Sequence, residues 1–143
     1  MNVFSINIEK ETLTNNNYRK VINTTCGMQL VLMSLKPGEE IGLEVHDYID
    51  QFFRLEKGKL KALVNENEIN LEDGSILIVP RGTKHNIINI GNEEAKLYTI
   101  YTPPNHPKNT IQENKPKESV NDHSGGYYKK YLKYKNKYLH YKN

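Results

Sequence analysis

Apolar residues in most of this chain come in short runs broken by turn-forming residues, a β pattern. Met28-Gln-Leu-Val-Leu-Met-Ser-Leu35 is closed by Lys36-Pro37-Gly38. Gln51–Glu56 and Lys59–Val64 flank Lys57-Gly58 and are expected to be antiparallel neighbours. Glu68–Leu71 follows the turn at Asn65-Glu-Asn67. Asp73-Gly74 leads into Ser75–Val79, Pro80-Arg-Gly82 into Lys84–Ile90, and Gly91-Asn92 into Ala95–Tyr101. About seven or eight short strands at hairpin spacing, with no long amphipathic helix, predict an all-β sandwich or barrel.

The pattern changes beyond residue 102. Four of the six prolines, Pro103, Pro104, Pro107 and Pro116, fall in residues 103–126 together with Gly125-Gly126, and no periodic apolar face is present there. This predicts an extended arm running into a linker. In the last 17 residues Tyr127, Tyr131, Tyr134, Tyr138 and Tyr141 are spaced 4, 3, 4, 3, one stripe of an α-helix, widened by Tyr128, Leu132 and Leu139. The expected organisation is a β body over 1–107, a linker over 108–126 and a Tyr/Lys-rich tail over 127–143 that can form an amphipathic helix.

Composition sharpens this division. The 143 residues suit a single domain, and the formal charge is +3. Residues 1–107 carry 11 Lys and Arg against 14 Asp and Glu, whereas 127–143 carry six Lys and no acid. The body is therefore acidic and the basic excess belongs to the tail. Binding to nucleic acid is expected only through that tail, where lysines meet phosphates and tyrosines stack on bases. The single Cys26 excludes an internal disulfide and suggests a reducing, cytoplasmic setting. No apolar run approaches the about 18 residues of a membrane-spanning helix, and Met1–Leu13 reads unlike a secretory signal.

The candidate chemistry lies in the body. Glu44 and His46 are two apart, so on a strand they share a face. Gln51 shares its face with Phe53 and Leu55, and His85 with Ile87 and Asn89. If a barrel closes around them, Glu44, His46, Gln51 and His85 converge among apolar residues. Two imidazoles, a carboxylate and an amide oxygen suit a divalent transition metal. Asp50, Tyr98, Tyr101 and His106 are candidate acid–base residues, by nearness to the motif or to a strand end; His106 sits in Pro103-Pro-Asn-His-Pro107, which could fold over a barrel mouth.

These residues resemble the cupin superfamily. Gly38, Glu44, His46, Gln51 and Gly58 occupy the five fixed positions of its first motif, G-x5-H-x-H-x4-E-x6-G. Gly74, Pro80, Gly82, His85 and Asn89 fill those of its second, G-x5-P-x-G-x2-H-x3-N. The surrounding wording is similar to small single-domain cupins described as mannose-6-phosphate-isomerase-like. The resemblance implies a jelly-roll-like β-barrel, a bound metal, a small polar ligand or substrate, and a homodimer. Two positions depart from the pattern: Glu44 stands for a histidine and Gln51 for a glutamate. The formal ligand charge is unchanged, but the added oxygen donor shifts preference toward manganese, iron(II) or zinc, with nickel also a candidate. Gln51 is then either a fourth ligand or the holder of a metal-bound water.

Three functions follow as expectations. One is a metal-dependent cupin acting on a small polar molecule, with sugar-phosphate isomerase-like chemistry. Another is a non-catalytic ligand-binding or dimerisation module. The third is a tether to nucleic acid or an assembly through the tail. Such Tyr/Lys-rich C-termini resemble those of giant DNA virus proteins, which implies a host-cytoplasmic or virion setting.

Overall fold

A computed structural model describes residues 2–117 of the protein. The tail and its expected helix lie outside the described residues.

The chain opens with a short helix, α1 (Ile8–Thr14), which sequence periodicity did not show because seven residues make barely two turns. Asn7 caps it, its side-chain oxygen accepting a bond from the Lys10 amide at 3.0 Å, and Glu9 and Glu11 sit favourably in the first turn. Among the described residues nine strands follow: β1 (Arg19–Thr24), β2 (Gln29–Leu35), β3 (Asp50–Lys57), β4 (Leu60–Val64), β5 (Asn67–Leu71), β6 (Ile76–Val79), β7 (His85–Asn89), β8 (Ala95–Thr102) and β9 (Ile111–Gln112). They form a six-stranded sheet in the order β6-β3-β8-β2-β1-β9 and a three-stranded sheet in the order β5-β4-β7, with antiparallel pairing.

The core lies between the sheets. Phe53, Leu55 and Leu97 from the large sheet meet Leu60, Ala62 and Ile87 from the small one. Strand β3 alternates as its sequence predicts: Gln51, Phe53 and Leu55 point inward, while Phe52 faces outward with its ring 6.1 Å from that of Tyr98. Every residue of β7 is buried, because a smaller cluster of Leu63, Ile88 and Ile90 covers its outer face.

The expected pairing of β3 with β4 is not formed. The chain leaves the large sheet at Gly58 and enters the small one. Gly58 has φ +127°, and a Cβ there would stand 3.0 Å from the Ala95 Cα, so only glycine permits this crossing so close to β8. Asp73 Oδ1 accepts the Gly58 amide at 2.8 Å and fixes the corner. Asn89 ties the far end of β7 in place: its amide nitrogen donates to the carbonyls of Leu35 and Glu93, and its oxygen accepts from Gly91.

Two further segments extend the sheets beyond their expected limits. Residues 38–44 run beside β7, with the Ile41 amide bonded to the Ile87 carbonyl and the Asn89 amide to the Glu39 carbonyl. Past residue 107 the chain stays attached to the body: Ile111–Gln112 pairs with β1, and the Thr110 carbonyl accepts the Val21 amide.

Lys96 anchors the N-terminal segment. It is 8% exposed, and its Nζ donates to the Asn15 carbonyl at 2.6 Å, Ser34 Oγ at 3.0 Å and Glu94 Oε2 at 2.9 Å. Lys96→Met is expected to lower unfolding stability by about 1–3 kcal/mol, because buried acceptors lose their donor. Urea denaturation followed by circular dichroism checks this; an unchanged midpoint would show that Lys96 anchors nothing.

Candidate metal centre

The candidate site forms where the two sheets face each other at one end of the core. Glu44 and His85 exchange backbone bonds, Glu44 N to His85 O at 2.9 Å and His85 N to Glu44 O at 3.0 Å. This isolated bridge brings their side chains together. His46 does not lie on a strand, contrary to the sequence expectation; it sits in an irregular stretch before the turn at Asp47-Tyr48. Its carbonyl accepts the Gly82 amide at 2.7 Å, and Gly82, with φ +78°, makes the turn that presents that amide. Gln51 enters from β3 in the opposite sheet.

The three ligand atoms offered by Glu44, His46 and His85 lie within 4.8 Å of one another. Glu44 Oε2 is 3.2 Å from His46 Nε2 and 3.7 Å from His85 Nε2. Burial would push the Glu44 carboxyl up, but contacts from His46 and His85 outweigh it, and the group titrates at about 2. Glu44 is therefore an anion at any working pH.

The donors fit a metal by a test independent of proximity. The His85 ring is 2% exposed, and its Nδ1 lies 2.9 Å from the Thr83 carbonyl. That acceptor assigns the proton to Nδ1 and leaves a lone pair on Nε2. Nε2 is buried with no hydrogen-bond partner, and so is Gln51 Oε1. Gln51 commits its amide nitrogen to Thr99 Oγ1 at 3.0 Å, which turns its oxygen elsewhere. Buried lone pairs left unmet are costly, and a cation held with Glu44 and His46 would satisfy that of His85.

Residues 31–101 match the family model for the cupin domain. The chain belongs to the cupin family. This cupin is 44% identical over 142 residues to protein L612 of Acanthamoeba polyphaga mimivirus, covering 96% of this chain and 89% of that one. It is 45% identical over 118 residues to YrkC of Bacillus subtilis, covering 78% of this chain and 63% of YrkC. The crystal structure of BH2720 from Bacillus halodurans superposes with a TM-score of 0.77 at 39% identity, over 78% of this chain and 89% of that one.

Of the four acid–base candidates, two reach the cupin pocket. Tyr101 is 1% exposed, with its ring 6.0 Å from that of His46. His106 lies on the loop after β8, its Nε2 3.3 Å from the Tyr101 hydroxyl and its ring edge-on at 5.1 Å. Asp50 is instead at the surface, 3.2 Å from Arg81, whose bonds hold its carboxyl below the usual range. Tyr98 projects from the outer face of the large sheet beside Phe52.

Gln29 is a positioning residue that sequence reasoning did not single out. It is fully buried, its oxygen accepts the amides of Asn105 at 3.1 Å and His106 at 2.9 Å, and its nitrogen donates to the His106 carbonyl at 2.7 Å. A glutamine opening an otherwise apolar strand was the available signal. Burial, aided by the charge of Arg19, lowers His106 to about 4, so its ring is neutral at neutral pH.

Full-length protein titrated with cobalt(II) or manganese(II) is expected to bind one ion. Glu44→Gln and His85→Ala should each weaken that binding by more than about tenfold, with Gln51→Leu showing a smaller loss. Calorimetry with circular dichroism as the folding control checks this, and equal affinity in wild type and variants would remove these residues from the ligand set.

Proposed function

We propose that this cupin is a metal-dependent enzyme acting on a small polar molecule, with Glu44, His46 and His85 as metal ligands and Gln51 completing the set. The observation that carries the reading is the buried, unmet lone pair on His85 Nε2 within a cluster that holds His46 and an ionised carboxylate, with Gln51 Oε1 also left unmet in the core. A divalent ion held there supplies Lewis-acid polarisation of a carbonyl or enediolate oxygen.

The chain supplies the proton handling. His106 is neutral, so its Nε2 accepts a proton, and the Tyr101 hydroxyl 3.3 Å away can pass one between that nitrogen and the pocket. Burial raises the Tyr101 hydroxyl well above its ordinary value, so it donates and does not ionise. Gln29 holds the imidazole in place through main-chain bonds. A neutral base, a proton relay and a cation near one another suit proton abstraction next to a carbonyl, the step shared by isomerases of hydroxycarbonyl compounds.

A non-catalytic binding module is the second reading. The Glu44–His46 contact at 3.2 Å favours it, because that bond satisfies part of the site from within the chain. The two readings separate on incubating metal-loaded protein with aldose and ketose phosphates in deuterium oxide. Deuterium is expected at the carbon next to the carbonyl, with the rate falling by about 100-fold in His106→Ala while metal binding persists. Binding of these compounds without exchange would leave the binding module.

The homodimer is proposed on the edge strand β6, where Ile76 and Ile78 are 51% and 62% exposed. Ile78→Lys is expected to convert a dimer to monomer in analytical ultracentrifugation. A wild-type monomer at high concentration would end that proposal.

A further inference from the structure

The small sheet carries a second apolar patch, on the face turned away from the core. Leu60 and Ala62 of β4 and Ile87 of β7 point inward and belong to the main core. Alternation then turns Leu63 and Ile88 outward. They are nevertheless 3% and 2% exposed, and with Ile90 they form a cluster of their own. Side chains on one face of a sheet stand side by side, so they screen each other's flanks and leave their tops open. Closing the tops takes a second layer. Among the described residues the candidate layers are engaged elsewhere: α1 lies against β8, β3 and β2, and β9 pairs with β1.

The chain leads a segment of suitable chemistry to this place. After β9 the Glu113 carbonyl accepts the Tyr18 amide, and Asn114 Oδ1 accepts Lys36 Nζ at 3.3 Å. Lys36 precedes the segment that runs beside β7, where the Gly38 amide bonds the Asn89 carbonyl and Glu40 pairs with Ile88. Asn114 is thus anchored close to where that segment joins the small sheet, at the border of the patch. Residues 118–126 can span about 30 Å when extended, and 127–143 follow with the stripe Tyr127, Tyr131, Tyr134, Tyr138 and Tyr141. A helix of that length measures about 25 Å, enough to cross a three-stranded sheet whose strands lie about 4.8 Å apart. Such a helix is marginal alone and owes its stability to packing one face.

Tyrosine suits the patch because the centre is apolar and the rim polar. Lys61 and Glu68, which share the outward face, are paired at 3.3 Å, and Glu40 stands beside Ile88 on the other side. A tyrosine lays its ring on the apolar centre and leaves its hydroxyl at the wet edge.

We propose that the C-terminal tail docks on its own body, residues 127–143 laying their tyrosine stripe as a helix over Leu63, Ile88 and Ile90. The tyrosines then serve packing and are not presented to a nucleic acid or to another protein.

Hydrogen–deuterium exchange of the full-length protein, read by mass spectrometry, tests this. Amides of 127–143 are expected to exchange at least about tenfold more slowly than in the triple variant Tyr131→Ser, Tyr134→Ser, Tyr138→Ser, whose changes lie outside the described body. Ile88→Lys should release the tail to the same degree while the amides of β2 and β8 stay protected, which reports that the body is still folded. If Ile88→Lys unfolds the body, the triple variant carries the decision alone. Wild-type tail exchange as fast as in the triple variant would overturn the docking. So would protection that vanishes on dilution, which assigns the tail to a second copy, or protection that appears only on adding single-stranded DNA, which makes the tail a tether.

Discussion

Two backbone hydrogen bonds between Glu44 and His85 govern this pocket. They pin the irregular segment that crosses between the sheets onto β7, and in doing so place the one carboxylate of the site beside a buried imidazole. His46 follows two residues later and is held by a bond from Gly82, which belongs to the turn leading into that same strand. The candidate ligand cluster is thus a by-product of how the crossing segment docks. Gly82 and Ile87, which also bond the segment, act on the site without belonging to it.

The opposite wall obeys a different constraint. Gln51, Thr99 and Tyr101 stand among apolar neighbours on the inner face of the large sheet, where unmet polar atoms are expensive. Thr99 takes the Gln51 amide nitrogen, which leaves the amide oxygen unmet. His106 takes the Tyr101 hydroxyl. Polar demand is met nearly everywhere in this region, and the atoms left over among the described residues here are His85 Nε2 and Gln51 Oε1.

Much of this was legible in the sequence. Strand-forming runs located the β body, because side-chain alternation and turn residues are local signals, and the motif spacing singled out Glu44, His46 and His85, which the fold brings within reach of one another. What was not legible depends on long-range placement. The Lys57-Gly58 turn reads as a hairpin, yet the chain passes there from one sheet to the other, and a turn signal does not state which sheet receives the next strand. Asp50 and His106 looked equally able to serve as a base; one meets Arg81 at the surface and the other meets Tyr101 inside. The short β9 pairing is likewise set by contact with β1 and not by its own residues.

Gln29 bonds the loop after β8 only through main-chain amides and a carbonyl. A brace that grips backbone is indifferent to the side chains it carries. The residues around His106 are therefore free to diversify without moving the imidazole. On the proposed reading, ligand preference and proton handling would be separately tunable in this scaffold: the loop's exposed side chains could be exchanged to admit a different ligand, while a buried glutamine 77 positions earlier in the chain keeps the imidazole in register.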